Sequence, residues 1–196
     1  MTAEVSQLIT VEAAGQVAES PFYIPMTGPA TRLRRSLKHD DTFIVLDSHG
    51  DIGASAGGPD GLFNADTRYL ARLEMVLDDV QPLLLGSNLR DDNSALTVDL
   101  TNSDVYRHDR LVLQKDTLHI MRSIFLWRGT AYQRIALQNH GDSLASFDLT
   151  LLFDNDFADL FEVRGQRRPR RGIGSSRLLG PADVVLDYAG LDRQAR

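Results

Sequence analysis

Two short stretches of this chain bring together residue types that can do chemistry. One is Gly61-Leu62-Phe63-Asn64-Ala65-Asp66-Thr67-Arg68-Tyr69-Leu70, in which Asp66 and Arg68 stand two residues apart and so share one face of an extended segment. The other is Phe153-Asp154-Asn155-Asp156-Phe157-Ala158-Asp159-Leu160-Phe161-Glu162-Val163-Arg164-Gly165, with four carboxylates, three phenylalanines and an arginine in thirteen residues. Phenylalanines favour burial, and carboxylates and arginine tolerate it only when paired and hydrogen-bonded. Asp156, Asp159, Glu162 and Arg164 therefore read as a charged network pinned against a core or an interface. Such a network either ties loops to a scaffold by ion pairs or lines an edge facing a carbohydrate pocket or a catalytic partner domain. In the second case carboxylates and arginine grip sugar hydroxyls through charge-assisted hydrogen bonds. Trp127, Tyr69, Tyr106 and Tyr132 have rings that can stack on pyranoses, although packing inside a sheet scaffold is the commoner use of such side chains.

Glycoside hydrolysis needs two carboxylates, one as acid and the other as base or nucleophile. With 27 acidic residues in the chain, a pair somewhere carries no information, and a complete glycosidase site is not expected. Calcium fits poorly, because Phe157 and Leu160 interrupt the acidic run and the glycine of a calcium loop is missing. The five histidines show no zinc-binding spacing. There is no nucleophile elbow, and the absence of cysteine removes disulfides, thiolate metal sites and a thiol nucleophile. Gly57, Gly58 and Gly61 read as turn residues rather than a phosphate cradle, since no helix start follows a strand there. Neither metal nor cofactor is expected.

The elements that must position these residues are strands. Alternating or short apolar runs occur at 42–46, 69–77, 83–89, 95–100, 109–114, 118–127, 132–138, 146–153 and 183–188. Turn chemistry separates them, including Lys115-Asp116 as a hairpin turn before the run at 118 and Asn139-His140-Gly141-Asp142 after the run at 132. Strands spaced by roughly 10–12 residues, with no long amphipathic helix, predict an all-β fold, an antiparallel β-sandwich. Residues 1–30 are small and polar and predict a flexible tail, leaving 31–196 for the sandwich. The basic run at 164–174 has too much proline, glycine and like charge to order by itself. Residues 186–192 read as a strand entering a hairpin turn without a partner, which points to a sandwich truncated at its C-terminal end.

A chain of 196 residues is long enough for one domain with a real core, and its 42% apolar and 24% charged content is that of a soluble globular protein. A net charge of −6 argues against a nucleic-acid partner, which needs a basic face. The first residues lack the basic and apolar regions of a signal peptide, and no apolar run reaches the ~18 residues of a membrane span. A cytoplasmic protein with no membrane partner is expected.

Taken together, the two motifs resemble the N-terminal domain of bacterial glycogen-debranching enzymes of the amylo-α-1,6-glucosidase type. The resemblance runs from about Thr42 to the C-terminus. It implies a supersandwich-like β-domain preceding a large (α/α)6 toroid of the same polypeptide, and an α-glucan or oligosaccharide substrate. In that family the toroid holds the general acid and base, so the resemblance implies a non-catalytic role for this chain. It marks Asp66, Thr67 and Arg68, together with Asp156, Asp159, Glu162 and Arg164, as signature positions that order the domain against the toroid near the mouth of its cleft. The rival expectation is a free-standing sandwich that grips α-glucans through exposed aromatics.

Overall fold

The computed structural model describes residues 33–53 and 58–191, so the tail expected over 1–30 lies outside the described residues. The described residues belong to one unit, Arg32–Arg196. Almost every element is a strand: β1 (Arg35–His39), β2 (Thr42–Leu46), β3 (Gly61–Asn64), β4 (Thr67–Leu70), β5 (Arg72–Leu77), β6 (Leu83–Leu89) and β7 (Ala95–Thr101). Then follow β8 (Val105–Arg107), β9 (Arg110–Leu113), β10 (Leu118–Trp127), β11 (Thr130–Asn139), β12 (Leu149–Asp154), the single helical turn α1 (Leu160–Val163), β13 (Ile173–Leu178) and β14 (Val184–Ala189).

All pairings are antiparallel. One sheet runs β1-β2-β3-β4 and a second runs β11-β10-β7-β6, with the two-stranded pieces β12-β5, β13-β14 and β8-β9 beside them. Tight turns set the register. Ala65-Asp66, Asp78-Asp79, His108-Asp109 and Arg128-Gly129 all have positive φ at both positions. That is the signature of two-residue hairpin turns whose twist matches the flanking strands, and it suits Asp and Gly.

The core is built from alternate residues of facing strands: Leu37, Ile44 and Leu46 of β1 and β2, Met75 and Leu77 of β5, and Leu96, Val98, Leu100, Ile120, Ile124 and Leu126 of β7 and β10. The period-2 patterns of β2, β7 and β10 turn their apolar sets inward, and the result is an antiparallel β-sandwich.

Two local expectations need correction. The run at 69–77 is two strands that break at Ala71, because the chain changes partners there. β4 pairs with β3, whereas β5 pairs with β12 and bridges to Ile52. Gly53 passes so close that an added Cβ would lie 2.4 Å from the Ala71 carbonyl oxygen. Lys115-Asp116 is not a hairpin turn, since β9 pairs with β8 while β10 pairs with β7 and β11. The strand near 186 is β14, which pairs with the preceding β13 over six residue pairs.

Candidate functional site

The two sequence motifs meet in space. Arg68 and Asp156 are 88 positions apart, yet Arg68 Nε donates to Asp156 Oδ1 at 3.0 Å and its Nη2 donates to Asp156 Oδ2. Arg68 Nη1 donates to the carbonyl oxygens of Gly58 and Asp60 at 2.9 and 3.1 Å, so the guanidinium stitches a loop, a strand and the acidic segment into one place. Arg68 is buried, and its stem lies against Gly61, where an added Cβ would stand 2.5 Å from Arg68 Cδ. Only a residue without a side chain leaves room for that stem. The backbone reinforces the junction: Arg68 N donates to Ala158 O at 2.8 Å, Leu160 N donates to Asp66 O at 3.1 Å, and Thr67 bridges Asp159.

Phe157 turns the acidic segment inward. Its φ is +46°, a conformation costly for a bulky residue, and its buried ring compensates by stacking on Tyr188 at 5.1 Å and meeting Tyr69 edge-on at 5.6 Å. Tyr188 in turn accepts a hydrogen bond from Gly172 N at 2.7 Å. A Cβ on Gly172 would lie 2.0 Å from Ala189 O, so this approach too requires glycine.

The remaining acids build α1. Asp159 is its N-cap and accepts from the amides of Phe161 and Glu162, both at 2.8 Å, while Glu162 Oε2 accepts from Asp159 N at 3.2 Å. This reciprocal capping box satisfies the free amides of the helix start. The outer oxygens face the basic run, which is therefore ordered. Arg168 pairs with Asp159 and, at 3.4 Å, with Glu162; Arg171 Nη2 pairs with Glu162 at 2.9 Å. Desolvation raises the pKa of the Asp159 carboxyl, but the Glu162 amide and the Arg168 guanidinium outweigh it and hold the group below its ordinary value of 3.8. A general acid needs the opposite shift. The geometry thus makes Asp156, Asp159 and Glu162 fasteners whose oxygens are already engaged.

Two of the expected residues stand apart. Asp66 does not share a face with Arg68: it sits exposed in the β3–β4 turn at φ +65° and lends the junction its carbonyl, because a two-residue turn interrupts the extended geometry that alternation assumes. Arg164 is exposed at the end of α1, where its backbone amide donates to Leu160 O at 3.2 Å, and among the described residues its side chain has no ion-pair partner.

Sequence reasoning missed a second cluster. Arg122 on β10 is fully buried and donates to Asp51 Oδ1 at 2.6 Å, to the carbonyls of His49 and Gly50 at 2.7 and 2.9 Å, and to Gln133 Oε1 at 3.0 Å. Asp51 also accepts from Met75 N and Gln81 Nε2. Burial raises the pKa of Asp51, opposed by the Arg122 charge and the hydrogen bonds from Arg122 and Gln81. The signal was in the alternation: Leu118, Ile120, Ile124 and Leu126 share a face, and Arg122 is the lone charge on it. The partners Arg168 and Arg171 were visible too, nine positions after Asp159 and Glu162.

No curated protein and no solved structure compared with this chain matches it. The family model for the N-terminal domain of some glycogen debranching enzymes matches residues 37–196, the span that holds both sheets, the Arg68 junction and the capped turn, and the chain belongs to that family.

Proposed function

We propose that this domain is a non-catalytic support in a cytoplasmic glycogen-debranching α-1,6-glucosidase. It carries an (α/α)6 catalytic toroid of the same polypeptide and helps to shape the α-glucan cleft. The observation that carries this reading is the state of the signature acids. Asp156, Asp159 and Glu162 are bound to Arg68, Arg168, Arg171 and backbone amides, which leaves them suited to holding a surface in shape rather than to transferring protons. Phe153 and Phe161 of the same segment are exposed, as are Ile173 and Leu178 of β13, apolar side chains available to an interaction surface.

The test is glucose release from a branched α-1,6 oligosaccharide, comparing the 196-residue chain with the polypeptide that carries the toroid. Activity confined to the longer protein is the expected result. Activity in the short chain overturns the reading and makes Asp66, Asp156, Asp159 and Glu162 the first carboxylates to replace.

A stand-alone α-glucan-binding module is the second reading, favoured by the outward aromatics of β10 and β11. Phe125 and Tyr132 stack at 4.9 Å, and with Trp127 they are between two-fifths and one-half exposed. It requires retention of the isolated chain on immobilised glycogen.

A further inference from the structure

The loop from Arg164 to Arg171 carries five arginines in eight residues of a chain whose net charge is −6. Like charges at that density repel, and the loop keeps its shape because its own domain clamps it at several points. Gln166 N donates to Phe161 O at 2.9 Å, and Gly172 N donates to the Tyr188 hydroxyl at 2.7 Å. Between those ends Arg168 pairs with Asp159 and Glu162, and Arg171 pairs with Glu162 at 2.9 Å.

Two carboxylates thus answer two of the five guanidiniums. Arg164, Arg167 and Arg170 are exposed, and among the described residues none of their side chains has a hydrogen bond or an ion pair. The backbone beneath them is already held, so a partner that meets them loses little to the ordering of the loop. Phe161, 64% exposed, and Ile173, 79% exposed, stand at the two clamped ends, which gives the charged loop apolar neighbours. Arginine and aromatic side chains are those enriched where proteins meet.

We propose that loop 164–171 is a docking surface for an acidic segment of a separate protein, bound reversibly. Carboxylates of that segment take the free guanidinium forks of Arg164, Arg167 and Arg170, which match a carboxylate bidentately, and an apolar side chain covers Phe161 or Ile173. The domain already displays this chemistry: Asp159-Leu160-Phe161-Glu162 is an acidic and apolar segment that holds Arg168 and Arg171. A nucleic acid or an anionic membrane needs a basic face wider than one loop. Here the rest of the chain, without these five arginines, is more negative still and repels both. Permanent interfaces are largely apolar, whereas an arginine-rich one suits a partner that comes and goes. The docking surface goes beyond the support reading and does not depend on it, since it concerns a second polypeptide rather than the toroid or its glucan.

The test is fluorescence anisotropy of a labelled synthetic peptide of alternating glutamate and phenylalanine, titrated with the full 196-residue chain. The same peptide with glutamine for glutamate, an oligothymidylate and phosphatidylserine vesicles are the comparison probes. Saturable binding of the glutamate peptide is expected, lost as salt rises to about 0.5 M. Arg167→Ala combined with Arg170→Ala should weaken it about tenfold, the worth of two surface charge pairs. Arg110→Ala combined with Arg134→Ala removes the same charge from exposed positions on β9 and β11 and should leave binding unchanged. Absence of binding, equal binding of the glutamine peptide, tighter binding of oligothymidylate or vesicles, or an equal loss in both double variants each overturns the proposal. So does a toroid-bearing polypeptide that no longer takes the peptide, because its own chain then covers the loop. Glucose release by that polypeptide is read separately, so a failure of the docking surface and a failure of the support reading cannot be confused.

Discussion

β7 (Ala95–Thr101) and β12 (Leu149–Asp154) are comparably apolar, yet they end in opposite environments. β7 is hydrogen-bonded on both edges, to β6 and β10, and Leu96, Val98 and Leu100 are at most 1% exposed. β12 is bonded to β5 alone, and Leu151, Leu152 and Phe153 are 37–43% exposed. Apolar composition makes a strand, but a covering layer decides whether it is core. The ion pairs follow the same division. Arg122 and Asp51 are buried, where a charge without its partner is costly, while Asp159, Glu162, Arg168 and Arg171 lie at a half-open surface where pairing orders a loop.

The sharpest way to break this comparison is Arg122→Ala. Removing one member of a buried pair leaves Asp51 uncompensated, and a loss of about 3–5 kcal/mol in urea unfolding is expected. A loss under ~1 kcal/mol, the worth of a surface pair, would erase the distinction. Truncation of apolar side chains should divide in the same way. Leu96→Ala should cost about 2–5 kcal/mol and Leu178→Ala, on exposed β13, within about 0.5 kcal/mol.

Arg68→Ala comes next, at about 1–3 kcal/mol, because it strips Asp156 and two carbonyls of their donor. Amide exchange at Leu160 and Gly165 should accelerate, while Leu100 and Ile120 stay protected. Uniform acceleration would mean that the junction is part of the core after all.

The smallest effect is electrostatic and runs in opposite directions in the two regions. Asp159 titrates below 3.8 in the folded protein, so its capping contribution is fully present above 3.8 and fades as pH falls through the folded value. Asp51 titrates above 3.8, so its contribution is present below 3.8 and is lost as pH rises through the folded value. Carboxyl carbon shifts of the two residues should therefore move at pH values on either side of 3.8, and the reverse order would contradict both environments.

Much of the scaffold was legible in the chain. The strands at 42–46, 83–89 and 118–127 coincide with β2, β6 and β10, because alternation is a local property that sequence displays directly. β1, β3, β8 and β13 were not picked out: they are short and rich in glycine or charge, and a neighbour's hydrogen bonds rather than their own pattern hold them extended. The charged network of 153–165 was legible as a network, and so was the family that carries it.

By itself the sequence determined the all-β class, the positions of the long alternating strands and the two motifs, since these depend on residue type and short periods alone. Only the tertiary structure decided that Arg68 closes on Asp156, that the basic run folds onto Asp159 and Glu162, and that Arg122 faces Asp51 inside the core. A charge finds its partner through pairings between distant strands, and no local pattern encodes which loop will arrive within about 4 Å of it.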